Sequence, residues 1–139
     1  MGTYRGSFSV SSRGETDIID ITGRVQSVLR DSGLASGILT AFVSGSTAGI
    51  TTIEYESGLV SDLKAAYERI APREGNYEHN LRWGDGNGYA HVRASLTGQD
   101  ISVPFLGGKL SLGTWQQIIL IDFDNRPRKR EIVVHVVGG

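Results

Sequence analysis

Hydrophobic positions along this chain change period several times, and each change marks an element. Residues 4–12 alternate, with Tyr4, Phe8 and Val10 on one face, which predicts an edge strand. Glu15–Ile21 predicts a second strand, folded back onto the first across a turn at Ser12–Gly14. The period then becomes helical: Val25, Val28 and Leu29 follow Thr22, a natural N-cap, and Gly33 ends the helix in the left-handed position that glycine tolerates. Gly37–Val43 carries the apolar run ILTAFV, which predicts a strand buried on both faces, and β-branched Thr51–Tyr55 predicts another.

Ser61 reads as the N-cap of a second helix, with Leu63, Ala66, Tyr67 and Ile70 on its apolar face and Pro72 as its stop. Gly88–Thr97 fits strand or helix; Ala90, Ala94 and the terminal Gly98 favour helix. Ile101–Phe105 and the long apolar Gly113–Phe123 predict strands, Asn125–Pro127 a turn, and Arg130–Val137 a last strand in which His135 shares a face with Val133 and Val137. Mixed, non-repeating elements imply an α+β fold in a single domain spanning residues 1–139.

Composition narrows the functions. At 39% hydrophobic and 21% charged, the chain is an ordinary globular sequence. A net charge of −1 gives no bulk attraction to nucleic acid or to anionic lipid, so neither is an expected partner. The absence of cysteine removes disulfides and thiolate metal sites and fits a reducing compartment. The start MGTYRGSFSV has neither the basic stretch nor the apolar run of a signal peptide, and no run approaches the ~20 residues of a membrane span, so a cytoplasmic location is expected.

Candidate chemistry concentrates in Glu78–Leu96. Two of the three histidines, His79 and His91, flank a loop in which Gly84, Gly86 and Gly88 alternate with Asp85 and Asn87. Glycine permits positive φ and close ligand approach, while Asp and Asn supply acceptor oxygens. A second candidate is Gly45–Gly49, GSTAG, whose amides and whose Ser46 and Thr47 hydroxyls suit an anion; the competing reading is a plain strand connection. Arg126, Arg128, Lys129 and Arg130 lack interleaved aromatics and read as a solvated hairpin, with phosphate attraction as the alternative.

SGSTAGITTIE (44–54), EHN (78–80), DGNGYAHVRASLTG (85–98), VPFLGGKLSLGTWQQI (103–118) and RPRKR (126–130) occur in an order and spacing that resemble the YjbQ family, also called UPF0047 and described as secondary thiamine-phosphate synthases. The resemblance spans about Gly6 to Val137. It implies an α+β, YjbQ-like mixed β-sandwich with a few helices, assembling as a homotrimer. It also implies joining of a pyrimidine diphosphate to a thiazole phosphate with release of pyrophosphate. The site residues that follow are Glu54, His79 and His91 as catalytic groups, with Gly45, Ser46, Thr47, Asp85, Asn87 and Gln116 lining a subsite for a phosphorylated small molecule. Glu54 is read as a base or ligand, or else as a strand-end ion-pair partner. His79 and His91 are the expected ligands of a divalent metal, zinc or magnesium. One departure stands out: the family motif His-Thr-Thr-Ala is here Gly45-Ser46-Thr47-Ala48, which removes one of three imidazoles and opens a second reading as a non-catalytic anion-binding or structural trimer. Trp115 is expected to be a packing anchor, at a subunit contact or within the chain.

Overall fold

A computed structural model describes residues 1–139. The strands are β1 (Gly2–Ser12), β2 (Asp17–Asp20), β3 (Ser36–Val43), β4 (Ala48–Ile53), β5 (Asp100–Leu106), β6 (Lys109–Leu110), β7 (Gln117–Asp122) and β8 (Arg128–Gly138). The helices are α1 (Thr22–Ser32), α2 (Ser57–Ile70), α3 (Glu78–Trp83) and α4 (Gly88–Thr97). Two antiparallel sheets form, one in the order β1-β8-β3-β5-β6 and the other β2-β7-β4. The α+β sandwich expected from the sequence is therefore present.

The sheets face each other across one core. Leu39, Ala41, Val43, Val103, Phe105, Ile132, Val134 and Val136 from the larger sheet meet Ala48, Ile50, Ile118 and Leu120 from the smaller, and Ile21, Val25 and Leu29 of the α1 region close one side. A second core lies on the other face of the small sheet, where Ile119, Ile121 and Phe123 meet Tyr67 of α2 and Tyr89, Ala90 and Ala94 of α4. The layers thus run sheet, sheet, helices. No helix is long and apolar enough to cross a membrane.

This layering corrects several expectations. The strand buried on both faces is β7, not β3: Ile38 and Phe42 of β3 face outward, whereas Ile118 to Asp122 of β7 are all buried. Central position in a three-layer stack, rather than apolarity alone, decides which strand is doubly covered. β2 does not hairpin onto β1 but pairs with β7 in the other sheet. Gly14, Glu15 and Thr16 all have positive φ (75°, 56° and 62°), and this left-handed run carries the chain from one sheet to the other. The turn is braced by Glu15 N–H donating to the Asp124 carbonyl (2.7 Å) and by Arg93 donating to Thr16 Oγ1 (2.8 Å).

α2 begins a turn earlier than Ser61 suggests, because Glu56 accepts from the amides of Gly58 and Leu59 and takes the cap. Thr22 is the first residue of α1 rather than its cap; its hydroxyl and amide bond Asp20, and its oxygen accepts from Ile118 N–H. Gly33 ends α1 in the left-handed conformation, and Gly88–Thr97 is helical, as expected.

Candidate functional site

The ends of β7 and the beginnings of β4, β8 and α4 meet at one edge of the sandwich. Ala48 pairs with Asp122, so Thr47 stands beside the chain that leaves β7 through Phe123 and Asp124. Both acids are buried, which demands partners. Arg130 donates to Asp122 through Nε (2.8 Å) and Nη2 (2.9 Å), and Nη2 also donates to Thr47 Oγ1 (2.6 Å). Thr47 in turn donates to Asp124 Oδ2 (3.1 Å), which accepts as well from Arg128 Nε (2.8 Å). Asp124 Oδ1 accepts from Asn125 N–H (2.8 Å) and the Asn87 amide (3.3 Å). Burial opposes the charge on Asp124, but the donors of Asn125, Asn87 and Arg128 outweigh it and hold the carboxyl below its ordinary value.

The RPRKR segment is thus only half a solvated hairpin. Arg128 and Arg130 turn inward as counter-ions of Asp124 and Asp122, and Arg126 and Lys129 remain exposed. Arg130 Nη1 has no hydrogen-bond partner and lies against Gly45, where a Cβ would come within 2.6 Å of it. Gly45, at φ 156°, is what lets the guanidinium rest on the backbone. The N–H groups of Gly45, Ser46 and Thr47 have no acceptor within the chain.

The two histidines, twelve positions apart in sequence, do come together. Gly88 packs so closely on Tyr77, where a Cβ would be 2.6 Å away, that the start of α4 lies against the residue preceding α3. Gly84 and Gly86, both left-handed, turn the connecting loop (φ 70° and 68°). The imidazoles of His79 and His91 lie with centroids 4.4 Å apart, their planes tilted by 42°. His79 Nδ1 is 3.5 Å from Asp85 Oδ1, within ion-pair range when protonated but without hydrogen-bond geometry, and it is buried without a partner. Burial and the neighbouring His79 lower the His91 pKa from its ordinary 6.5, against the opposing pull of Asp85 and Asp124. Asn87, 7% exposed, gives its amide nitrogen to Asp124, which fixes its orientation and leaves Oδ1 buried with no donor.

Of the residues singled out by sequence, His79, His91, Asp85, Asn87, Thr47, Ser46 and Gly45 gather at this edge. Glu54 and Gln116 do not. Ile53 pairs with Gln117 at the far end of the β4–β7 ribbon, so Glu54 lies seven residues, roughly 20 Å, from Thr47. Trp115 is 69% exposed and belongs to neither hydrophobic core, so it is not a packing anchor within the chain. Asp122 and Asp124, which sequence reasoning passed over, form the polar frame of the site with Arg128 and Arg130, which it read as part of a solvated hairpin.

Structural and catalytic zinc sites take three or more protein ligands. One chain brings no group of three His, Cys, Asp or Glu side chains together in that manner. The donor set of a single chain therefore does not by itself complete a three-ligand zinc site.

Comparison with known proteins gives the chain its place. The family model for UPF0047 protein YjbQ-like matches residues 6–139. A UPF0047 protein of Methanothermobacter thermautotrophicus is 38% identical across 99% of this chain and 94% of its own length. The UPF0047 protein YugU of Bacillus subtilis is 31% identical across 95% and 98%. The crystal structure of a YbjQ-like protein of unknown function from Sulfolobus solfataricus superposes with a TM-score of 0.94 at 33% identity, covering 99% of each chain. A hypothetical protein from Aeropyrum pernix superposes with a TM-score of 0.91 at 32% identity, covering 98% of this chain and 99% of its own. With sequence match and fold in agreement over nearly its whole length, the chain belongs to the UPF0047, or YjbQ-like, family.

Proposed function

We propose that the Gly45–Thr47 turn binds a small phosphorylated anion, and that a homotrimer uses it in transfer of the thiamine-phosphate-synthase kind. The observation that carries the reading is the unpartnered Arg130 Nη1 lying on Gly45 beside three backbone N–H groups without acceptors. A fixed guanidinium and free amides favour a phosphate oxygen, and the cost of ordering them is already met by Asp122 and Thr47.

The reaction asks little covalent chemistry of the protein. A thiazole nitrogen forms a bond to the methylene carbon of the pyrimidine, and the carbon–oxygen bond to diphosphate breaks, with pyrophosphate taking the electron pair. Donors placed where charge collects on that leaving group lower the barrier. Arg130 and the turn amides suit this role, and His79 and His91 offer further donors when protonated. A second reading, an anion-binding trimer without turnover, is favoured by one observation: Gly45 stands where the family motif has histidine.

The test is calorimetric titration with pyrophosphate and inorganic phosphate, paired with chromatographic detection of thiamine phosphate from the two substrates. Binding by the wild-type protein that weakens at least tenfold in Gly45→Ala supports the anion site. Product formation separates enzyme from binder. No binding of either anion overturns the reading.

A further inference from the structure

Away from the imidazole edge, α2 and the end of α4 leave a cleft of about 560 Å³ over the outer half of β4. Its walls are apolar: Leu59, Leu63 and Ile70 stand on the α2 side, Leu96 on the α4 side and Ile53 on the strand, with the buried Tyr67 at its base. Ile70 is 65% exposed and Leu96 64%, so the rim has no apolar cover within the chain. A cavity of this size and lining, with a few polar groups converging on it, is the form that small-molecule sites take.

The polar groups of the cleft accept more than they donate. Thr97 has one hydroxyl proton and gives it to the Arg93 carbonyl (2.8 Å), so in the 2.6 Å contact between Tyr67 and Thr97 the phenol is the donor. The Tyr67 oxygen is then left with acceptor capacity only. Burial raises the Tyr67 pKa above its ordinary 10, so the phenol stays neutral. β4 is an edge strand. Phe123 N–H donates to the Thr47 carbonyl, and by the alternation of an antiparallel pair Thr52 turns its N–H and C=O to the free edge, where neither has a partner in the chain. Asp62 lines the cleft without an ion pair, and no Lys, Arg or His lines it. The cleft's single charge is therefore negative and unanswered.

We propose that this cleft binds a small apolar molecule bearing an ammonium group, an aryl- or alkylamine whose hydrocarbon body lies between the α2 and α4 walls and whose cationic head is held by Asp62. An anion is opposed by the same carboxylate, and a neutral hydrocarbon leaves it without a partner. The site lies at the far end of β4 from Thr47 and shares no residue with the Gly45–Thr47 turn, so it is independent of the anion reading.

NMR titration of isotope-labelled protein with phenethylamine, phenethyl alcohol and phenylacetate tests it, because the three share a ring and differ in the charge of the head group. The amine is expected to shift the Thr52, Leu63 and Leu96 signals with a millimolar Kd, the range of a small fragment. The alcohol is expected to bind about threefold more weakly, the worth of one exposed ion pair, and phenylacetate more weakly still. Asp62→Asn should bring the amine to the level of the alcohol, and molar salt should do the same. Ala66→Phe, which fills the cleft beside Tyr67, should abolish binding of all three while thermal unfolding shows the fold retained. Absence of binding by the amine, an affinity no greater than that of phenylacetate, or an affinity unchanged in Asp62→Asn overturns the proposal. Cleft signals that move on dilution of the protein alone, and not with the amine, mark a contact between copies and also overturn it.

Discussion

Arg130→Met is the most informative single change. It removes the two guanidinium donors that reach the buried Asp122 and the donor that reaches Thr47, while leaving an apolar stem of similar length. Breaking a buried ion pair by deleting one partner costs about 3–5 kcal/mol, because the surviving charge is stranded. Asp122 keeps the Ser12 hydroxyl and the Asp124 N–H as donors, which places the loss near the lower bound, about 3 kcal/mol. For a chain of this size that corresponds to a fall in Tm of roughly 10 °C, or a shift of about 1.5 M in the urea midpoint at a typical slope of about 2 kcal/mol per M. Adding Asp122→Asn removes the stranded charge and is expected to recover at least half the loss. Urea unfolding of the single and double variants closes the cycle. A single-variant loss below about 1 kcal/mol, or a double variant whose loss equals the sum of the two singles, refutes the buried-pair argument.

Further expectations follow from the same frame. Gly45→Ala drives a Cβ to 2.6 Å from Arg130 Nη1, so the guanidinium must shift away from Asp122; a loss of about 1–3 kcal/mol by thermal unfolding is expected, and an unchanged Tm counts against the contact. Thr47→Val deletes the hydroxyl that accepts from Arg130 and donates to Asp124, leaving two buried groups short of a partner, and should cost about 1–3 kcal/mol in urea titration. The pH dependence has a definite sign: His91 has a folded pKa below its unfolded 6.5, so the unfolded state takes up its proton first and stability falls as pH drops below 6.5. In His91→Gln that part of the slope should vanish; an identical slope in both proteins refutes the assignment. Asp124, also lowered, contributes stability that is present above its ordinary value of 3.8 and is lost as pH falls through the folded value, and Asp124→Asn should remove this acid limb.

The sequence by itself determined most elements and pointed to the stretch that carries His79 and His91. Alternation in residues 4–12 and 130–137, helical spacing around Leu29 and Tyr67, and the stops at Gly33, Pro72 and Gly98 are local properties, and local sterics settle them. The polar frame left a signal in the sequence that the reading of Arg128 and Arg130 as a solvated hairpin missed. Arg128 and Arg130 share parity with the inward Ile132, Val134 and Val136, and Asp122 and Asp124 share parity with the buried Ile118 and Leu120. A charged residue on the inward parity of a strand is a buried charge seeking a partner, and two acids with two arginines answer each other.

Only the tertiary structure decided the rest. Alternation shows that a strand exists but not which neighbour it pairs with, so β2 lies in the second sheet although nothing in Glu15–Ile21 marks it. It was layer position that buried both faces of β7 and exposed one face of β3. Register across β4 and β7 separated Glu54 and Gln116 from the histidines they accompany in the family motifs, because antiparallel pairing sends neighbouring segments to opposite ends. And the close contact of Gly88 with Tyr77 brought His79 onto His91, a distance set by packing between helices that no spacing along the chain encodes.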